Sequence, residues 1–119
     1  MSITAQEENG LSVVRITGQL KKSELDAIQA IAAKDFIANP NLKLKLLLIV
    51  EDFKGWEEDV DWSDMNFYFE HGDKIAKIAL VADPKRQAEL MMFMGSGIRP
   101  SPLKYFPPEQ MDEARKWLG

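Results

Sequence analysis

Residues Lys43 to Val50 read KLKLLLIV, and no other stretch restricts the fold as much. Leu44 to Val50 is far shorter than the roughly 20 apolar residues a membrane-crossing helix needs. It suits a strand buried on both faces, which is the signature of a central strand in a mainly parallel sheet. The segment that follows, Glu51-Asp52-Phe53-Lys54-Gly55-Trp56, then leaves the carboxyl end of a central strand. Open α/β sheets place their ligands and partners there.

The remaining elements arrange themselves around that strand. Ile3 to Gln6 and Leu11 to Thr17 read as strands joined by Glu8-Asn9-Gly10, and Asn-Gly supplies left-handed backbone at low cost, so a hairpin is predicted. Ser23 and Asp26 resemble a capping box. The helix they open runs to about Ala38, with Leu25, Ile28, Ile31, Ala32 and Phe36 as its apolar stripe, and Asn39-Pro40-Asn41 stops it. After the central strand come a loop and a helix from Asp61 or Trp62 to Gly72, on which Trp62, Met65 and Phe69 share a face. Ile75 to Ala82 is another buried strand. Asp83-Pro84 caps and opens a helix to about Met94, with Ala88, Met91 and Met92 toward the sheet. Gly95 to Pro102 is a loop by composition, Leu103 to Phe106 a short edge strand, and Glu109 to Leu118 a last helix packed through Met111, Ala114 and Leu118. The order is ββαβαβαβα. It predicts an α/β fold with a mixed, mostly parallel sheet of about five strands and four helices, in one domain spanning 1–119. Periodicity leaves the strand order open.

Composition narrows the function by exclusion. With 15 Lys and Arg against 19 Asp and Glu, the net charge is -4, which argues against nonspecific nucleic-acid binding through phosphate neutralisation. No cysteine is present, so disulfides, thiol catalysis and thiolate metal sites are all excluded. The N-terminal MSITAQEENG has neither a basic segment nor an apolar signal core, so the cytoplasm is expected, with peripheral contact at the inner membrane face as an extension.

Three stretches resemble the SpoIIAA-like family, a branch related to the STAS domains of anti-sigma-factor antagonists and anion-transporter tails. They are LLLIVEDFKGWE (Leu46 to Glu57), FEHGDKIAKIALVAD (Phe69 to Asp83) and LKYFPPEQMDEARKWL (Leu103 to Leu118). The opening hairpin LSVVRITGQL (Leu11 to Leu20) also fits, so the resemblance covers nearly the whole chain. It implies a compact mixed sheet flanked by helices. In regulatory members, a serine at the start of the helix after the central strand is phosphorylated to break binding to a kinase partner. Here Glu51 to Trp56 contains no hydroxyl residue, and the first one downstream is Ser63, among Asp59, Asp61 and Asp64 whose charges oppose a phosphate. For the SpoIIAA-like branch, the resemblance implies membrane association or an apolar small molecule.

The candidate chemistry competes with simpler accounts. Glu51, Asp52, Glu57, Glu58, Asp59 and Asp61 are numerous enough to suggest a Mg²⁺ or Ca²⁺ site, but no calcium-loop spacing is present and helix-terminal charge explains them. His71 suits a helix end, and no triad or phosphate loop is found, so no catalytic residue, metal site or cofactor is assigned. An apolar surplus remains: Phe53, Trp56, Phe67, Leu90, Phe93 and Met94 exceed what the regular stripes use. If they converge, they form a ligand-binding wall or patch with Lys54, Lys85, Arg86 and Arg99 as rim or anion contacts. The leading expectation is a non-catalytic binding protein for an apolar, lipid-like or amphipathic small molecule with peripheral membrane contact. The alternative is a STAS-type module that binds a protein partner or a second copy of itself, without the usual serine.

Overall fold

The computed structural model describes residues 2–8, 10–39, 41–62, 72–94 and 102–119. Strands β1 (Ile3–Glu8), β2 (Leu11–Leu20), β3 (Leu44–Trp56), β4 (Ile75–Val81) and β5 (Leu103–Phe106) form one sheet in the order β1-β2-β3-β4-β5. β1 and β2 pair antiparallel, and the remaining neighbours are parallel. The α-helices among the described residues are α1 (Lys22–Ala38), α2 (Gln87–Phe93) and α3 (Met111–Leu118). Four helices are expected from sequence. The additional one, after Trp62, falls almost wholly on 63–71, outside the described residues.

A sheet that advances one strand at a time through crossovers of one hand collects its crossover helices on one face. The packing follows this rule. Leu25 and Ile28 of α1 and Leu90 and Met91 of α2 meet Val14, Ile16, Leu48, Val50 and Leu80 on one face. Phe36 of α1 extends the same layer over Ile75 and Ile78. The opposite face carries Val13, Leu47, Ile49, Ala79 and Val81, and α3 covers it with Ala114 and Leu118. α3 follows β5 and lies on the side opposite the crossover helices. Leu47 and Ile49 thus point one way and Leu48 and Val50 the other, all buried, as the continuous apolar run requires. Lys77 of β4 anchors α3: its Nζ donates to the Trp117 carbonyl at 3.0 Å, placing a cation at the helix C-terminus.

Several local expectations change. α1 lacks the Ser23 capping box. Its Ncap is Lys21, and the Lys22 N–H instead donates to Glu57 Oε1, reaching across at 3.1 Å. Ile31 is 63% exposed, because Leu25, Ile28, Ala32 and Phe36 occupy the inward side and Ile31 lies on the flank. Ser2 donates to the Glu24 carboxylate through both its N–H and its hydroxyl, tying the start of β1 to α1 and lowering the Glu24 pKa, chiefly through the hydroxyl bond.

The larger change concerns β3, which runs on to Trp56 where a loop is expected from Glu51. Its register against β2 passes from Thr17↔Glu51 to Gly18↔Phe53 and then Gln19↔Gly55, so Asp52 and Lys54 are extra residues on the β3 side. Such bulges need unusual backbone, and Asp52 (φ 49°) and Gly55 (φ 97°) provide it, opposite Gly18 at φ 66°. A Cβ at Gly55 would meet no atom within 4 Å, so its glycine requirement is conformational only. Gly55→Ala is therefore expected to cost about 1–2 kcal/mol through backbone strain. Leu118→Ala, which empties the centre of the α3 layer, is expected to cost about 2–4 kcal/mol. Urea unfolding of both variants checks the two values.

Candidate functional site

The double bulge builds the site. In a regular strand, Phe53 would share the face of Glu51, whose carboxylate pairs with Arg15 at 3.1 Å on the α3 side of the sheet. The extra residue Asp52 re-aims Phe53 to the other face, where it joins the core beneath α2 and is 7% exposed. Trp56 follows onto the same side and meets Phe53 edge to face, ring centroids 5.0 Å apart. Phe93 of α2 lies 5.4 Å from Trp56 and 5.8 Å from Trp62, so four aromatic rings form a continuous row from the sheet out to the surface. Each such ring pair contributes roughly 0.5–1.5 kcal/mol beyond its buried area. Trp62 is fixed by its indole N–H, which donates to the Glu57 carbonyl at 3.0 Å. Glu57 is itself held by its own N–H to the Leu20 carbonyl at 2.8 Å.

The phase of α2 decides what this row presents. Asp83 caps a 3-10 turn over Pro84–Arg86, its carboxylate accepting from the Lys85 N–H at 2.9 Å, and regular α-helix begins only at Gln87. Three residues per turn instead of 3.6 rotate everything downstream. Leu90, 2% exposed, takes the inward position with Met91 and Met94 beside it, whereas Ala88 and Met92, expected inward, face out. Met92 is 82% exposed and Phe93 38%. Of the residues singled out from sequence, Phe53 and Leu90 form the buried floor, Trp56 and Met94 are half-buried, and Phe93 reaches the surface. Phe67 and Arg99, with Ser63 and His71, lie outside the described residues. Met92 and Trp62 join this region through the helix phase and the ring contacts, which side-chain periodicity alone did not show.

The cations are less free than the sequence suggests. Arg86 donates to Glu89 Oε1 at 2.7 Å and to the Phe53 carbonyl at 3.1 Å, and its guanidinium lies 5.5 Å from the Phe53 ring centroid. That carbonyl sits in the bulged segment, where ladder bonding is broken, so Arg86 supplies a donor that β3 lacks there. Lys54 and Lys85 are exposed. Lys85 and Arg86 border a cleft of about 180 Å³ at the carboxyl ends of β3 and β4, with Val50, Asp52, Phe53, Ala82 and Asp83. The acids do not gather: Glu51 is turned to the far face, Glu57 serves α1, and no group of three or more potential ligands able to hold a metal ion occurs among the described residues.

Tyr105 of β5 stands beside this cleft and donates its hydroxyl to the Ala82 carbonyl at 2.8 Å. Its pKa is raised from 10.0 by burial first, then by the charges of Glu109 and Asp83.

The fold and its site define a mixed α/β domain that offers a surface at the carboxyl end of its central strands, not an enclosed chamber. The family model described as SpoIIAA-like matches residues 11–119, and the chain belongs to the SpoIIAA-like family. Among solved structures, the chain is similar to an uncharacterised protein with a SpoIIAA-like fold from Shewanella loihica, at 15% identity and TM-score 0.75, over 98% of this chain and 92% of that one. It is also similar to an anti-sigma factor antagonist from Mycobacterium paratuberculosis, at 14% identity and TM-score 0.55, over 98% and 92% of the two chains. No curated protein matches the sequence significantly.

These findings overturn the expectation of an apolar-ligand or membrane-binding protein. The fold is shared with a protein antagonist, and no helix among the described residues is long and apolar enough to cross a membrane. Physically, Phe53 and Leu90 fill the core instead of lining a chamber. The cleft beside them is smaller than the roughly 300–1,000 Å³ of small-molecule pockets, and Asp52, Asp83, Lys85 and Arg86 make its wall charged.

For Tyr105, the folded state favours the neutral phenol, so the unfolded chain ionises first as pH rises past about 10. The stability it contributes is therefore complete below that pH and lost as pH climbs through the raised folded value. Replacing Tyr105 by Phe is expected to remove this part of the alkaline loss, read as a flatter dependence of the urea midpoint on pH.

Proposed function

We propose that the protein is a non-catalytic regulatory module that binds another protein through the face shared by α2 and the bulged end of β3. The observation that carries this reading is the exposure of Met92, at 82%, beside Phe93, which reaches the surface between Trp56 and Trp62 in a four-ring aromatic row. Ring contacts on both sides fix the position of Phe93, and a fixed aromatic next to an adaptable thioether is what interface anchors provide. An antagonist of an anti-sigma factor, as the Mycobacterium paratuberculosis relative is named, acts on another protein with this same fold, which supports the class of activity. In this reading Phe53, Leu90 and Met94 position the surface, Trp56 and Phe93 contribute to it, and Lys54 and Lys85 lie at its margin. Residues 51–57 hold no Ser, Thr or Tyr, so control of binding does not run through a phosphate on the exit of β3. The cytoplasm is the compartment in which we place it.

The test is native mass spectrometry of the tagged protein isolated from its own cells. A stable complex with a second polypeptide is expected, reduced at least tenfold by Met92→Ser and by Phe93→Ser. Met92→Ser is expected to leave the urea midpoint within about 0.5 kcal/mol of the parent, as exposed positions do. A parent protein found only without a partner would sink the proposal.

A further inference from the structure

We infer that the partner segment recognised at this face is a basic amphipathic helix; this deepens the interaction reading above and rests on it. Trp56, Phe93 and Trp62 are spaced 5.4 and 5.8 Å apart by ring centroids, with Met92 exposed alongside. That row is roughly 10 Å long, the distance from position i to i+7 along a helix, which suits a short run of apolar anchors from one helical face. Val60, 37% exposed, adds an apolar side chain in the turn that leads into Trp62.

Residues 51–61 hold six carboxylates against the single cation Lys54, so this segment is more negative than the whole chain at -4. Glu51 is engaged by Arg15 on the other face and Glu57 by the Lys22 N–H. Asp52, Glu58 and Asp59 remain exposed around the aromatic end of β3. Of the nearby cations, Arg86 is engaged by Glu89 and the Phe53 carbonyl, and the exposed Lys54 and Lys85 are fewer than these three carboxylates. An apolar strip rimmed by carboxylates favours a partner whose apolar side chains are flanked by Lys or Arg. The same rim opposes an anionic membrane surface, and it opposes a second copy of this chain, which would bring the same charges to the contact.

Two labelled peptides of about five helical turns test this, with identical Leu and Phe on one face and either Lys or Glu on the other, titrated by fluorescence anisotropy. The Lys peptide is expected to bind at least tenfold more tightly than the Glu peptide. Its affinity is expected to fall as salt rises through about 0.5 M. Met92→Ser is expected to weaken binding at least fivefold, and so is the pair Glu58→Lys with Asp59→Asn, in which Asn keeps the left-handed backbone of Asp59 (φ 60°). Equal binding of the two peptides, indifference to the Glu58 and Asp59 changes, or no binding at about 1 mM each overturns the inference. So does concentration-dependent self-association in sedimentation that Met92→Ser abolishes, since the occupant is then a second copy. A native complex that survives while the peptide contrast fails refutes the basic helix alone; loss of the complex itself refutes the interaction reading.

Discussion

The parallel pairing of β2 with β3 is the interaction on which the rest of the molecule depends. It runs from Ser12↔Leu46 to Leu20↔Trp56, well past the point where β3 leaves β4 at Ile49↔Val81. Within the sheet it sets β3 beside β2 in the interior, where helices cover both of its faces. Beyond the sheet it carries the two bulges, and because each bulge admits one unpaired residue, the same strand presents Glu51 to one side and Phe53 to the other. A regular ladder would have sent Phe53 to the face of the Arg15–Glu51 ion pair and left α2 without its aromatic floor. Glu57, at the end of this extension, then closes a circuit by accepting from the first N–H of α1. The extension therefore sets both the site and the start of the helix that packs behind it.

The two faces of the sheet have different origins, and this bears on function. One is covered by crossover helices, whose positions follow from connectivity. Among the described residues the other is covered by α3, which is fastened by Lys77 to the Trp117 carbonyl and by Arg115 to Glu8 at 3.5 Å. The aromatic row links the buried floor to exposed Phe93 through direct ring contacts, which hold that ring in place beside Met92 in the chain.

Much of the framework was legible because it rests on local pattern. The apolar run Leu44 to Val50 announced a doubly buried strand, Leu103 to Phe106 emerged with the predicted bounds, and the α3 face of Ala114 and Leu118 followed from helical spacing. The candidate site was legible only in composition: Phe53, Trp56, Leu90 and Phe93 do converge, but as floor and rim in different proportions from those expected. Ala88 and Met92 exchanged sides with Leu90 because one 3-10 turn after Asp83 rotates the whole helix. The cap of α1 came from Glu57, 35 residues from Lys22, and no nearby residue signals it.

By itself, the sequence determined which segments are apolar enough to be strands, where helices stop, and that no thiol chemistry is available. Those properties depend on side-chain type and spacing within a few residues. The tertiary structure alone decided that Glu51 to Trp56 is bulged strand and not loop, that Phe53 turns inward while Glu51 turns away, and that Met92 is left in solvent. Each of these depends on which backbone groups pair across neighbouring strands, and a register between β2 and β3 exists only once both strands are in place.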